Sequence, residues 1–181
     1  MAAILGPAES GKSHLISLLA GIKTSDYRGS CLVQRRDLLN GESLPFNEIG
    51  VCLDEDNLEE SFTLFYHLCF LGQLKGLSTK QMLQQIFYLA KLFDMEEHLF
   101  KKIKNLSGGN KRKAALSTAL LGAPSLLILD DPTRSLDPAV AHEVLLALHF
   151  FVKRLSKTLV FSSKKESEVL LVADCLMNTN P

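Results

Sequence analysis

Ala2-Ala3-Ile4-Leu5-Gly6-Pro7-Ala8-Glu9-Ser10-Gly11-Lys12-Ser13 carries the chain from a short apolar run into a glycine-bearing loop, and Leu15, Ile16, Leu18 and Leu19 follow at helical spacing. Residues 6–13 fit G-x-x-x-x-G-K-[ST], with flanks that predict a strand entering the loop and a helix at Lys12–Leu19 leaving it. Gly6 and Gly11 let the backbone turn so that successive N–H groups face inward, making an anion-binding nest at a helix N-terminus. Lys12 adds a positive charge for outer phosphates, and the Ser13 hydroxyl suits Mg2+. A strand–helix turn without a ligand can carry the same letters; the strand and helix on either side favour the phosphate reading.

Leu126-Leu127-Ile128-Leu129 reads as a buried parallel strand, too short for a helix, and it runs into Asp130-Asp131-Pro132. Consecutive strand residues point to opposite sides, so the two carboxylates are expected to divide the work. One would hold magnesium or its water, and the other would face an attacking water. A third segment, Leu106-Ser107-Gly108-Gly109-Asn110-Lys111-Arg112-Lys113, precedes Ala114, Ala115, Ser117, Thr118, Leu120 and Leu121, a helical pattern for which Ser107 is an N-cap. Its free N–H groups would suit a phosphate supplied by another chain. Ser135-Leu136-Asp137-Pro138 is a turn signal.

In this order the segments resemble the nucleotide-binding domain of ABC transporters. Residues Ser107 to Lys113, with Leu116-Ser117-Thr118-Ala119 behind them, look most like the second such domain of the A subfamily, the large lipid exporters. The resemblance spans almost the whole chain. It implies a P-loop NTPase fold that binds ATP and Mg2+. It also implies a head-to-tail dimer with a second nucleotide-binding domain. In that dimer each ATP lies between one partner's Gly6, Pro7, Ala8, Glu9, Ser10, Gly11, Lys12 and Ser13 and the other partner's Ser107, Gly108 and Gly109. Ser13, Asp54 and Asp130 take the metal side, Asp131 and Lys164 the catalytic positions, and Ser135 to Pro138 the interface turn. Transmembrane domains become partners, encoded elsewhere in the polypeptide or in another subunit, with the cytoplasmic face of a membrane as the location.

The departures from that family are specific. Asp54 stands where a Gln is usual, Asp131 where the catalytic residue is Glu, and Lys164 where a His is expected; Ala8 and Glu9 replace Asn and Gly. A carboxylate at 54 can bind magnesium yet repels phosphate oxygens. A retreat of about 1 Å by a shorter side chain can cost on the order of 10²-fold in rate. Lysine offers charge without the fixed geometry of an imidazole. Two functions follow from this. One is an ATP-binding, ATP-hydrolysing domain that powers a lipid transporter through nucleotide-dependent dimerisation. The other is a degenerate module that binds nucleotide with little hydrolysis and serves as a regulatory or structural partner. The chain begins five residues before Gly6 and stops near Met177. The family's upstream adenine-stacking aromatic and its later strand have no counterpart in these residues; the expectation is a fragment or truncated product, the alternative being that adenine is held by something else.

The remaining sequence is compatible with this. The 181 residues suggest one domain with a substantial core. Twenty Lys and Arg balance twenty Asp and Glu, which gives no reason to invoke nucleic acid. The basic runs Lys101-Lys102-Ile103-Lys104 and Lys111-Arg112-Lys113 read as solvated faces. Four cysteines without C-x-x-C spacing indicate neither zinc nor a disulfide framework, and the histidines show no ligand pattern. No apolar stretch reaches the roughly eighteen residues of a membrane span. Further strands are expected at Ser30–Val33, Ile49–Cys52 and Thr158–Ser162. Helices are expected at Ser61–Gly72, Ser78–Phe93 with Thr79 as cap, Ala139–Leu155 and Lys165–Ala173. This alternation argues an α/β fold with a mostly parallel sheet flanked by helices. The core would comprise residues 1–53 and 114–181, and an inserted helical subdomain with the Ser-Gly-Gly segment would occupy 54–113.

Overall fold

A computed structural model describes residues 1–22, 30, 32–33, 36–37, 44–54 and 56–179. Five strands, β1 (Ala2–Leu5), β4 (Ile49–Cys52), β5 (Leu126–Leu129), β6 (Thr158–Ser163) and β7 (Cys175–Asn178), form one sheet in the order β4-β5-β6-β1-β7. Every neighbouring pair in it is parallel. The side-chain alternation of β5 shows why the sheet is buried on both faces. Leu126 and Ile128 join Ile4 and Ile16 in one apolar cluster, while Leu127 and Leu129 join Leu159 and Phe161 in the other. Helix α1 (Lys12–Leu19) covers the first face, and α5 (Pro138–Arg154) and α6 (Glu166–Val172) contribute to the second cluster.

Helices α2 (Leu64–Leu74), α3 (Thr79–Leu92) and α4 (Gly108–Leu120) pack on one another, and α4 also lies against β4. Their ends follow from local chemistry. The Thr63 side chain accepts from the Tyr66 N–H at 3.2 Å, so α2 starts later than Ser61. Helix α2 runs past Gly72 to Leu74, and a Cβ at Gly72 would meet the Met82 side chain at 2.8 Å, which favours glycine there. The cap of α3 is Ser78 rather than Thr79: Ser78 and Gln81 form a reciprocal capping box. Asp137 caps α5 and Pro138 occupies its first turn, which sets that start at Pro138.

Three expectations need correction. Ser30 is not in a strand; β2 (Leu32–Val33) pairs antiparallel with β3 (Arg36–Asp37) in a separate two-stranded sheet. Strand β7 was not foreseen, although it pairs with β1 along its whole length. The basic run at 111–113 is not a solvated face throughout, because Arg112 is 0% exposed. Cys31, Glu55 and the segment Asn40-Gly41-Glu42-Ser43, whose letters predict a turn, lie outside the described residues.

Candidate functional site

The loop after β1 supplies the first wall. Glu9 and Gly11 have φ of 64° and 86°, the left-handed turn that brings the chain into α1. No side chain caps the N-terminus of α1, which leaves its first-turn N–H groups for a ligand. Lys12 is buried, and its Nζ donates to the Gly6 carbonyl at 2.8 Å, to the Pro7 carbonyl and to Ser10 Oγ at 3.2 Å. Desolvation, helped by nearby Lys164 and opposed by Asp130 and Asp131, pulls its pKa below the ordinary value. Gly6 admits no Cβ, since one would lie 2.1 Å from Thr179 Oγ1, and Ser10 Oγ is 2.8 Å from that same hydroxyl.

Strand ends supply the opposite wall. Glu9, Gly11, Lys12 and Ser13 line a cleft of about 360 Å³ together with Asp54 beyond β4, Asp130 and Asp131 beyond β5, and Lys164 beyond β6. Both adjacent residues line this cleft, and they differ in surroundings, Asp130 being hydrogen-bonded to Ser162 and Asp131 lying beside Lys164. The strand ends at Leu129, and Asp131 sits at φ 43°, which breaks the alternation. Asp130 is buried and accepts from Ser162 Oγ, which in turn accepts the Asp131 N–H at 2.9 Å. The Asp131 carboxylate lies 3.6 Å from Lys164 Nζ, and Asp54 lies 3.2 Å from Arg134 Nε.

Ser107 and Gly109 are not in this cleft. They line a separate depression with Asn110, Ser135 and Leu136. Ser107 caps α4 by accepting the Asn110 N–H at 3.3 Å, as expected of a Ser-Gly-Gly helix tip that carries Gly108 in its first turn. A Cβ at Gly109 would come within 3.2 Å of Leu136, so the Ser135–Asp137 turn packs closely over the tip.

Sequence reasoning missed four residues that hold these groups. Arg112 and Arg134 grip the loop after β4, Ser162 fixes Asp130 and Asp131, and buried Glu168 accepts from Thr133 at 2.9 Å and Ser163 at 2.7 Å. For Arg112 a signal existed: it lies three, four and seven residues before Ala115, Leu116 and Ala119, the buried stripe of α4.

The donor set fits a magnesium nucleotide. Uncapped helix N–H groups and Lys12 suit phosphates, and Ser13 with Asp130 suits the metal. Among the described residues no cluster of three His, Cys, Asp or Glu could hold a metal alone. Magnesium sites made of one or two carboxylates plus substrate phosphates need no such cage.

Comparison with known proteins agrees with the geometry. Residues 1–134 match the family model described as ABC transporter. Over 179 residues the chain is 32% identical to the spermidine/putrescine import ATP-binding protein PotA of Thermotoga maritima, covering 97% of this chain and 48% of that protein. It is 31% identical over 175 residues to ABC transporter A family member 11 of Dictyostelium discoideum, covering 92% and 20% respectively. The chain thus spans about half the length, or less, of these relatives. Among solved structures, the ATP-binding cassette MJ0796, in a dimeric post-hydrolysis state bound to ADP and Pi, superposes with a TM-score of 0.84. That likeness covers 98% of this chain and 80% of the cassette at 19% identity, and it shows the P-loop NTPase fold.

Proposed function

This chain belongs to the ABC transporter family, and from that premise we propose that it is the ATP-binding and ATP-hydrolysing domain of an A-subfamily, lipid-exporting transporter, working through nucleotide-dependent dimerisation. The observation that carries the reading is the single cleft shared by Lys12, Ser13, Asp130 and Asp131. The nest and Lys12 would hold ATP phosphates, and Ser13, Asp130 and Asp54 would serve Mg2+. Asp131 would orient the attacking water, and Lys164 would offer charge to the terminal phosphate.

The separation of the Ser107–Gly109 tip from the cleft supports a head-to-tail partner domain, whose own tip would close the site. The division into a core of residues 1–53 and 114–181 and a helical subdomain of 54–113 belongs to the same reading. Among the described residues no helix is long and apolar enough to cross a membrane, so the proposed transmembrane partners are separate segments or subunits, with this domain on their cytoplasmic face. The A-subfamily assignment rests on Ser107 to Lys113, because overall identity is 32% to an import protein and 31% to an A-family transporter. Labelled ATP should bind the parent chain and fail to bind Lys12→Ala; undiminished binding by the variant removes the site.

A second reading is favoured by the ion pairs that Asp131 makes with Lys164 and Asp54 makes with Arg134. Carboxylates engaged in this way suit a clamp that holds ATP without turnover. Single-turnover hydrolysis in the polypeptide that carries this chain separates the two. Rapid turnover abolished by Asp131→Asn establishes the engine, and retained intact ATP establishes the clamp.

A further inference from the structure

Arg112 is 0% exposed, and its planar fork reaches two separate segments at once, the loop after β4 and the end of β5. Nη1 donates to the Leu53 carbonyl at 2.7 Å and to Asp56 Oδ1 at 2.8 Å. Nη2 donates to the Asp131 carbonyl at 2.9 Å and to the Asp130 carbonyl. Asp56 also accepts from Arg134 Nη2 at 3.4 Å. The side chain itself rises from α4, whose N-cap is Ser107. One guanidinium therefore ties the helix whose tip lines a separate depression to the backbone of Asp130 and Asp131 and to the loop that carries Asp54.

We propose that Arg112 is a positioning residue that couples the phosphate cleft to the Ser107–Gly109 tip of α4. The inference rests on the ATP-binding reading above and adds an intramolecular link to it. A displacement of the β5 end strains bonds to α4 directly, because all four acceptors are shared by one rigid group. Coupling of this kind is reciprocal: a partner engaging the tip must alter the cleft as much as nucleotide in the cleft alters the tip. An arginine that only filled space would support stability without transmitting such a response.

Hydrogen–deuterium exchange on the full chain tests this, at dilution where sedimentation shows a monomer, so that no partner touches the tip. In the parent, magnesium ATP should slow exchange at residues 6–13 and change it at residues 107–113. Arg112→Lys keeps the charge beside Asp56 but loses the fork, so it should keep the response at 6–13 and lose that at 107–113. Asp56→Asn removes the guanidinium's charged partner, and it should weaken the 107–113 response even where Arg112→Lys fails to fold. A parent response confined to 6–13 overturns the proposal, as do variants whose tips respond like the parent's. Absence of any protection at 6–13 in the parent refutes the ATP-binding reading instead, and the coupling falls with it.

Discussion

Glu9 holds φ 64° two residues before Gly11, in a region where an L side chain is strained and glycine is not. The residue also lines the cleft proposed for phosphates, so its negative charge lies on that side of the loop. Glu9→Gly removes both penalties. Net of glycine's extra backbone entropy, it should stabilise the chain by about 1 kcal/mol or less, a melting shift of at most a few degrees. Glu9→Ala removes only the charge, so ATP affinity should rise in both variants and the melting temperature in the glycine variant alone. Thermal melts and labelled-ATP titrations check the two effects separately. At this scale the loop from Gly6 to Ser13 and the pair Asp130-Asp131 were legible, because fixed spacing between chemically distinct letters encodes them. Arg112 and Ser162 were not. Lysines flank Arg112 and disguise a buried residue as part of a charged surface, and Ser162 acts on residues 31 and 32 positions away in sequence.

Elements read well where burial imposes a period. Strands β1, β4 and β5 and helix α1 have the bounds that apolar spacing predicts. Strand β7 has no such pattern, since Cys175, Leu176, Met177 and Asn178 are all exposed, and only its pairing with β1 makes it a strand. The helical ends were set by capping chemistry that periodicity does not carry. Ser78→Ala should cost about 1 kcal/mol through the loss of the α3 capping box, measured by denaturant titration. Lys75 at the end of α2 is buried, donates to the Ile49 carbonyl at 3.3 Å and lies 5.4 Å from the centre of the Phe46 ring. Burial pulls its pKa from 10.5 down to about 8. Between those values the unfolded chain binds a proton that the folded chain does not, so this group's contribution to stability rises with pH. Relative to the parent, Lys75→Met should therefore melt higher near pH 7, with an advantage that shrinks as pH approaches 10. A constant difference across that range would show that Lys75 does not titrate in the window.

For the whole molecule, the order β4-β5-β6-β1-β7 gathers the C-terminal ends of four parallel strands at one edge, where Asp54, Asp130, Lys164 and the Gly6 loop emerge. Ligand sites in open parallel sheets form at such edges, outside the carboxyl ends of the strands. The Ser107 tip lines a depression separate from the cleft, and the head-to-tail proposal has a second domain bring its tip to that cleft. If two chains complete each other head to tail, defects in the two parts should complement when mixed. Lys12→Ala damages the cleft, and Gly108→Asp places a negative charge on the helix tip; each alone should abolish hydrolysis or ATP-stabilised pairing. In a mixed dimer one site receives the intact cleft of the Gly108→Asp chain and the intact tip of the Lys12→Ala chain, while the other site receives both defects. Partial recovery on mixing, read as ATP turnover or, for a clamp, as ATP-dependent dimer in sedimentation, is the expected outcome. No recovery from two folded and separately inactive variants would mean that two copies of this chain do not complete each other head to tail, and pairing with itself would have to be abandoned.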